Sequence, residues 1–215
     1  VTTPTTPSTI ATLTAADPAN PHARTDIHAV AQLLAVAFDE PVTRWLVPDP
    51  GRHQQVMTGL FTLMAGDALA SGGRVDVLAT PDEQPVAAAI WFDYSTLEGT
   101  PASEPDPRFN EVFGQFAHRW HLLDDLMTRN HLAGPHMYLF AVGVLPGHQG
   151  HGLGGQLLEH GHRRLGGLPA YLEATSADSR RLYRRHAYTD LGRIDLPDGP
   201  AMWRMWTAVE AGGGR

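Results

Sequence analysis

The chemistry in this chain is concentrated in one short region. Residues 149–155, Gln-Gly-His-Gly-Leu-Gly-Gly, follow an apolar, β-branched run that stops at Pro146. After them Leu153, Leu157, Leu158 and Leu165 recur at helical spacing. Glycines let backbone amides approach a ligand closely, and a helix start adds unpaired N–H groups and partial positive charge. Together these favour an anion, a phosphate above all. Three side-chain positions lie close by in sequence. Glu173 stands in the next apolar run, 170–174, where a carboxylate is out of place unless it faces a cleft or a partner such as Arg181 or Arg185. His136 and Tyr138 are two apart and so share one face of a strand. Either could act as a general base, and a histidine titrates in the right range for it.

Three readings compete for the phosphate. A Walker-type loop needs a lysine after its last glycine, and the chain contains none. A dinucleotide fingerprint is closer, because Gly150, Gly152 and Gly155 satisfy G-x-G-x-x-G and Glu173 supplies an acidic residue downstream. Against it, Pro146-Gly147-His148-Gln149 separates strand from turn, and too little chain follows Glu173 for more βαβ units. The third reading rests on Gln149-x-x-Gly152-x-Gly154 between the strand AVGV and the helix GLGGQLL, followed by AYLEAT and SRRLYRRHAY. This set resembles the GNAT superfamily of N-acetyltransferases. It resembles the family well over residues 136–209 and by element order elsewhere. AVGVLPGHQGHGLG and YLEATSA look most like puromycin-type antibiotic N-acetyltransferases. Ser176 stands where many members carry asparagine, and Ala187-Tyr188 replaces the usual Gly-Phe.

The resemblance implies a cofactor, acetyl-CoA, with its pyrophosphate on Gln149, Gly150, His151, Gly152, Leu153, Gly154 and Gly155. It implies that main-chain groups around Val142, Gly143 and Val144 pair with the pantetheine arm, Gly143 marking a bulge or a close backbone approach. It gives Tyr183 the role of acid toward the departing coenzyme A sulfur. It places Asp39 and Glu40 in a loop over the acceptor, ready for a cationic amine. Glu173 would bind or deprotonate that amine, with His136 or Tyr138 as further bases. Trp45, with Trp91, Phe92, Phe116 and Trp120, could line an aromatic pocket or lie in the core. The expected reaction is transfer of acetyl to a primary amine of a small molecule, an aminonucleoside antibiotic among them, by direct attack on the thioester. Protein N-terminal acetylation, a nicotinamide-dependent oxidoreductase and a silent acyl-CoA-binding module are the alternatives.

Composition sets the frame. The 215 residues carry a net charge of −7 with 42% hydrophobic residues, as expected for one globular domain. An acidic chain disfavours nucleic acid. Without cysteine there is no disulfide framework or thiolate site. No run of ~18 apolar residues suggests a membrane span, so a cytoplasmic monomer or homodimer is expected. Twelve histidines, including His118-x-x-His121, His148-x-x-His151 and His160-x-His162, match no metalloprotease pattern, so no metal is expected. Residues 1–8 and 211–215 read as tails around one domain, 9–210. Within it the pattern predicts an edge strand at 9–14, helices at 25–38, 52–70 and 109–131, and a hairpin of 74–79 with 86–92. Loops are expected around Trp45 and over 96–108. The central strand–turn–helix follows, then a strand at 170–174, a helix at 178–186, and strands at 188–196 and 201–209. That order implies an α/β fold with a central mixed, mostly antiparallel sheet of six to seven strands flanked by helices.

Overall fold

The computed structural model describes residues 9–14, 23–101 and 106–207. Both expected tails lie outside them. Seven strands form one sheet: β1 (Thr9–Leu13), β2 (Arg74–Ala79), β3 (Pro85–Tyr94), β4 (His136–Val144), β5 (Ala170–Ala174), β6 (Thr189–Asp195) and β7 (Ala201–Thr207), in the order β1-β2-β3-β4-β5-β7-β6. Every pairing is antiparallel except that of β4 with β5. A doubly wound dinucleotide fold needs a mainly parallel sheet, so the G-x-G-x-x-G reading does not hold.

Helices cover both faces. On one side lie α1 (Ala23–Ala37), α2 (Pro41–Leu46), α3 (Pro50–Ala70), α4 (Pro107–Phe113) and α5 (Ala117–Asn130); on the other lie α6 (Leu153–His162) and α7 (Ala177–Arg185). Two expectations fail for local reasons. The prolines around Trp45 do not break structure; Pro41 and Pro50 each open a helix, where a missing N–H goes unnoticed. The single helix expected at 109–131 is two, because Gly114 turns left-handed (φ +53°) and a short 3₁₀ turn at 114–116 re-aims the chain. The fold this order implies is otherwise the one observed.

The central strand carries the feature that makes a site possible. Ile90 faces Ala141 and Trp91 faces Leu139, so Phe140 is an extra residue on β4. A bulge of this kind shifts the alternation of side chains. Tyr138 and Phe140, then Ala141, consequently belong to the α1–α3 side, while Met137, Leu139, Val142 and Val144 belong to the α6 side. The bulge is therefore at Phe140 and not at Gly143. Gly143 has a different reason: a Cβ there would lie 2.9 Å from the side chains of Ala37 and Leu34, so glycine lets α1 lie directly on the strand.

Candidate functional site

Just before the bulge β4 and β5 part. They pair only at Met137–Ala170 and Tyr138–Tyr171, so the rest of β4 faces no strand on that side. A cleft of about 530 Å³ opens there, lined by Val142, Gly143 and Val144, by the turn that follows, and by α7. Unpaired strand edges and buried amides demand partners, and a ligand backbone can supply them.

The turn has a geometry that favours an anion. Gly150 (φ +79°) and Gly152 (φ +77°) occupy the left-handed region that side chains avoid. The first helical bond of α6 is donated by Gln156 to the Gly152 carbonyl, so the amides of Leu153, Gly154 and Gly155 have no helical acceptor. No side chain caps this start. Gln149, Gly150, Gly152, Leu153, Gly154 and Gly155 all line the cleft. The Gln149 amide donates to the Val144 carbonyl at 3.0 Å and thus ties turn to strand. His151 does not line the cleft, and its Nδ1 lies 2.8 Å from the Gln149 carbonyl. Of the four arginines on α7, Arg180 and Arg184 pair with Asp190 and Arg181 with Asp178, while Arg185 lines the cleft. Sequence alone could not choose among the four.

Tyr183 also lines this cleft, buried on α7 beside Leu182. Burial first, then the negative charge of Glu40, pushes its hydroxyl up, so it remains a proton donor near neutrality.

A second cavity, about 60 Å³, adjoins the first and shares Phe38, Glu40 and Thr175 with it. Its walls are apolar, with Phe61, Trp120 and Phe140 among them, and its polar groups are Glu40, Thr43, Tyr138, Glu173 and Thr175. The Glu173 side chain is only 3% exposed. Its Oε2 accepts from the Tyr138 hydroxyl at 2.9 Å, and its Oε1 has no hydrogen-bond partner. Burial raises its pKa to about 7, against the opposing pull of the Tyr171 and Tyr138 hydroxyls and of Arg204. Glu40 is likewise mostly buried at the head of α2; its Oε1 also lacks a partner, and burial raises its pKa against a hydrogen bond from Thr175. Two buried carboxylates, each with an unmet oxygen, thus face one small apolar space. Such groups are where a cation or a proton is expected.

Other candidates lie elsewhere. Asp39 lies outside both of these cavities, in a separate surface hollow with Arg44 and His53, its carboxylate gripped by Arg44 at 2.7 Å. Glu40 is the N-cap of α2 in extended backbone (φ −136°, ψ 172°), where successive side chains point to opposite sides, and this separates Asp39 from Glu40. Trp45 lines neither cavity; its indole donates to the Pro197 carbonyl at 3.1 Å and stacks under Arg119. Trp91 is core on the opposite face, beneath Arg74. Phe92 and Phe116 are core on the cavity's side of the sheet. His136 is fully buried and does not reach either cavity; it contacts His131, which contacts Glu173. His131 escaped notice in the sequence because it sits in a loop 42 residues before Glu173, with no periodicity to mark it. Glu173 itself pairs with neither Arg181 nor Arg185. Among the described residues no cluster of three or more His, Cys, Asp or Glu could hold a metal ion, and no helix is long and apolar enough to cross a membrane.

Comparison with known proteins places this architecture. Residues 108–188 match the model of the acetyltransferase (GNAT) family. A Corynebacterium glutamicum ATCC 13032 structure described as "histone acetyltransferase HPA2 and related acetyltransferase" is 29% identical, with a TM-score of 0.70 over 97% of this chain and 100% of its own. Arylalkylamine N-acetyltransferase 2 from Aedes aegypti shares the fold at 14% identity and a TM-score of 0.60, over 95% of this chain and 100% of its own. So does the ribosomal-protein-S18-alanine N-acetyltransferase from Escherichia coli, at 20% identity and a TM-score of 0.53, over 97% and 98%.

Proposed function

From the match of residues 108–188 to the GNAT acetyltransferase family, we propose that the chain is an acyltransferase that moves acetyl from acetyl-CoA to the primary amine of a small molecule with an apolar arm. The observation that carries this is the paired cavities: a cleft with an anion-binding turn, joined through Glu40 to a smaller apolar space lined by Glu173. Members of the family use acetyl-CoA, and the turn, the unpaired edge of β4 and Arg185 suit its pyrophosphate, pantetheine and phosphate groups in turn.

The steps follow from placement. The ammonium enters the apolar space and is drawn by the carboxylates, since a cation buried without a counter-charge is strongly disfavoured. Glu173, with a pKa near neutrality, takes its proton on Oε1. The amine then attacks the thioester carbonyl at the junction of the cavities, where a β4 amide beyond the bulge polarises the oxygen. Tyr183 gives a proton to the departing thiolate. The adduct nitrogen still carries one proton too many, and that proton replaces the one Tyr183 gave; one N–C bond forms, one C–S bond breaks, and the products are an amide, coenzyme A and the proton held by Glu173.

Apolar aromatic walls favour an amine next to a ring over a polyamine, which would bring a second charge into an apolar space. An aminonucleoside antibiotic, the acceptor suggested by the puromycin-type resemblance, meets that description where its amine adjoins an aryl group. The test is release of free thiol from acetyl-CoA with 2-phenylethylamine, puromycin, spermidine and an alanine-starting peptide. Turnover with one of the first two supports the reading. Turnover with the peptide alone overturns it in favour of N-terminal acetylation.

A further inference from the structure

Glu173 is fully enclosed, yet one of its oxygens meets no donor although a histidine stands 3.8 Å away. At that distance neither tautomer hydrogen-bonds the carboxylate, and which His131 nitrogen could do so on a small approach is set by a chain of two imidazoles. His136 Nδ1 lies 2.8 Å from the Gly134 carbonyl, which can only accept, so Nδ1 carries the hydrogen. Both rings are neutral, because burial lowers the pKa of His136 and, with His136 beside it, takes His131 down to about 3. A neutral ring has one N–H, so His136 Nε2 is a bare lone pair. His131 Nε2 lies 3.0 Å from it and must therefore donate. That leaves His131 Nδ1, the nitrogen turned toward Glu173 Oε1, without hydrogen.

We infer that His131 and His136 form a tautomer lock that keeps the His131 N–H turned away from Glu173 Oε1 and so positions that oxygen as the proton acceptor. They are positioning residues and do not touch the substrate. The lock rests on reading Glu173 as the base. Its purpose is chemical: a donated hydrogen bond would stabilise the carboxylate and weaken it as a base, whereas a lone pair accepts from the carboxyl once Glu173 is protonated. The groups facing Glu173 are Tyr138, Tyr171, Arg204, His131 and, more distantly, Tyr94, with Glu40 in the same cavity. Among them His131 is the one whose donor sense a neighbour can reverse. Edge-on ring contacts from Tyr94, Tyr138 and Tyr171 keep its ring oriented.

The test begins with the intact protein. Nitrogen-15 spectra of the histidine side chains should show His136 protonated at Nδ1 and His131 at Nε2; His131 protonated at Nδ1 overturns the lock without any variant. His136→Phe keeps an aromatic ring among Tyr94 and Tyr171 but removes the lone pair that holds His131. His131 is then able to donate to Glu173. The Glu173 carboxyl, followed by carbon-13 titration, and the acid limb of kcat/KM should both move down by about one pH unit. His136→Gln offers an NH₂ to Gly134 and an oxygen to His131, and should restore both positions. Loss of stability in His136→Phe with neither titration moved would make the pair structural only. Full activity in Glu173→Gln would instead refute the base assignment, while the tautomers and the carboxyl titration still report on the lock.

Discussion

Asp76 and Glu173 are both buried carboxylates on strands of one sheet, and they behave in opposite ways. Asp76, on β2, is fully buried and meets a partner at every turn. The Thr12 hydroxyl donates to it at 2.7 Å, Arg74 approaches at 3.4 Å and His160 at 3.6 Å. It ties edge strand, sheet and α6 together through Arg74, which also donates to the Gly161 carbonyl at 3.1 Å. Glu173 has tyrosine on one oxygen and no hydrogen-bond partner on the other, and its residue lines a cavity. The lesson is that burial alone does not mark a site; an unmet lone pair beside a cavity does. Glu40 passes the same test and Asp39 fails it, one residue apart.

The sharpest way to break the contrast is to neutralise each carboxylate. Glu173→Gln should lower kcat by roughly 10²–10⁴, the usual contribution of a general base. It should also stabilise the protein at pH 8. The folded-state pKa of about 7 exceeds the ordinary glutamate value of 4.5, so the folded state binds more protons between them. Stability from this group is therefore present at low pH and lost as pH rises through about 7, and the neutral variant escapes that loss, on the order of 1–3 kcal/mol. Thermal melts at pH 5 and pH 8 check it. Asp76→Asn should do the reverse, leaving Arg74 without its counter-charge at a cost of about 3–5 kcal/mol while kcat of the folded enzyme is kept. Parallel denaturant melts and assays separate the two.

How far the sequence could anticipate this depends on how local each feature is. The turn and its helix are contiguous, and Gln149, Gly152 and Gly154 carry their own spacing. Tyr183 and Glu173 lie on short elements with clear patterns. The bulge at Phe140 left no mark, because its cause is the register between β3 and β4. Glu40 and Asp39 are indistinguishable until the extended N-cap of α2 fixes their directions. His136 looked like a base by residue type, and its place two residues from Tyr138 on the strand was right. Only the fold shows that it reaches Glu173 through His131.

Two smaller effects sharpen the picture on the cofactor side. Tyr183→Phe should reduce kcat by about 10²-fold with little change in the KM for acetyl-CoA, the mark of an acid used only as the thiolate leaves. Steady-state kinetics at saturating amine check it. Arg185→Ala should raise the KM for acetyl-CoA by about 3–10-fold and leave kcat nearly unchanged, because an exposed charge on a phosphate contributes uniform binding. The equivalent change at Arg181, which is held by Asp178, should do less.

The central claim is that an amine loses its proton to Glu173 before attacking acetyl-CoA. Its most direct test is the pH dependence of thiol release with 2-phenylethylamine, wild type against Glu173→Gln. Wild-type kcat/KM should rise with an acid limb near pH 7, and the variant should be at least a hundredfold slower and lack this limb. Equal rates in the two proteins, or a limb that survives the substitution, would contradict it.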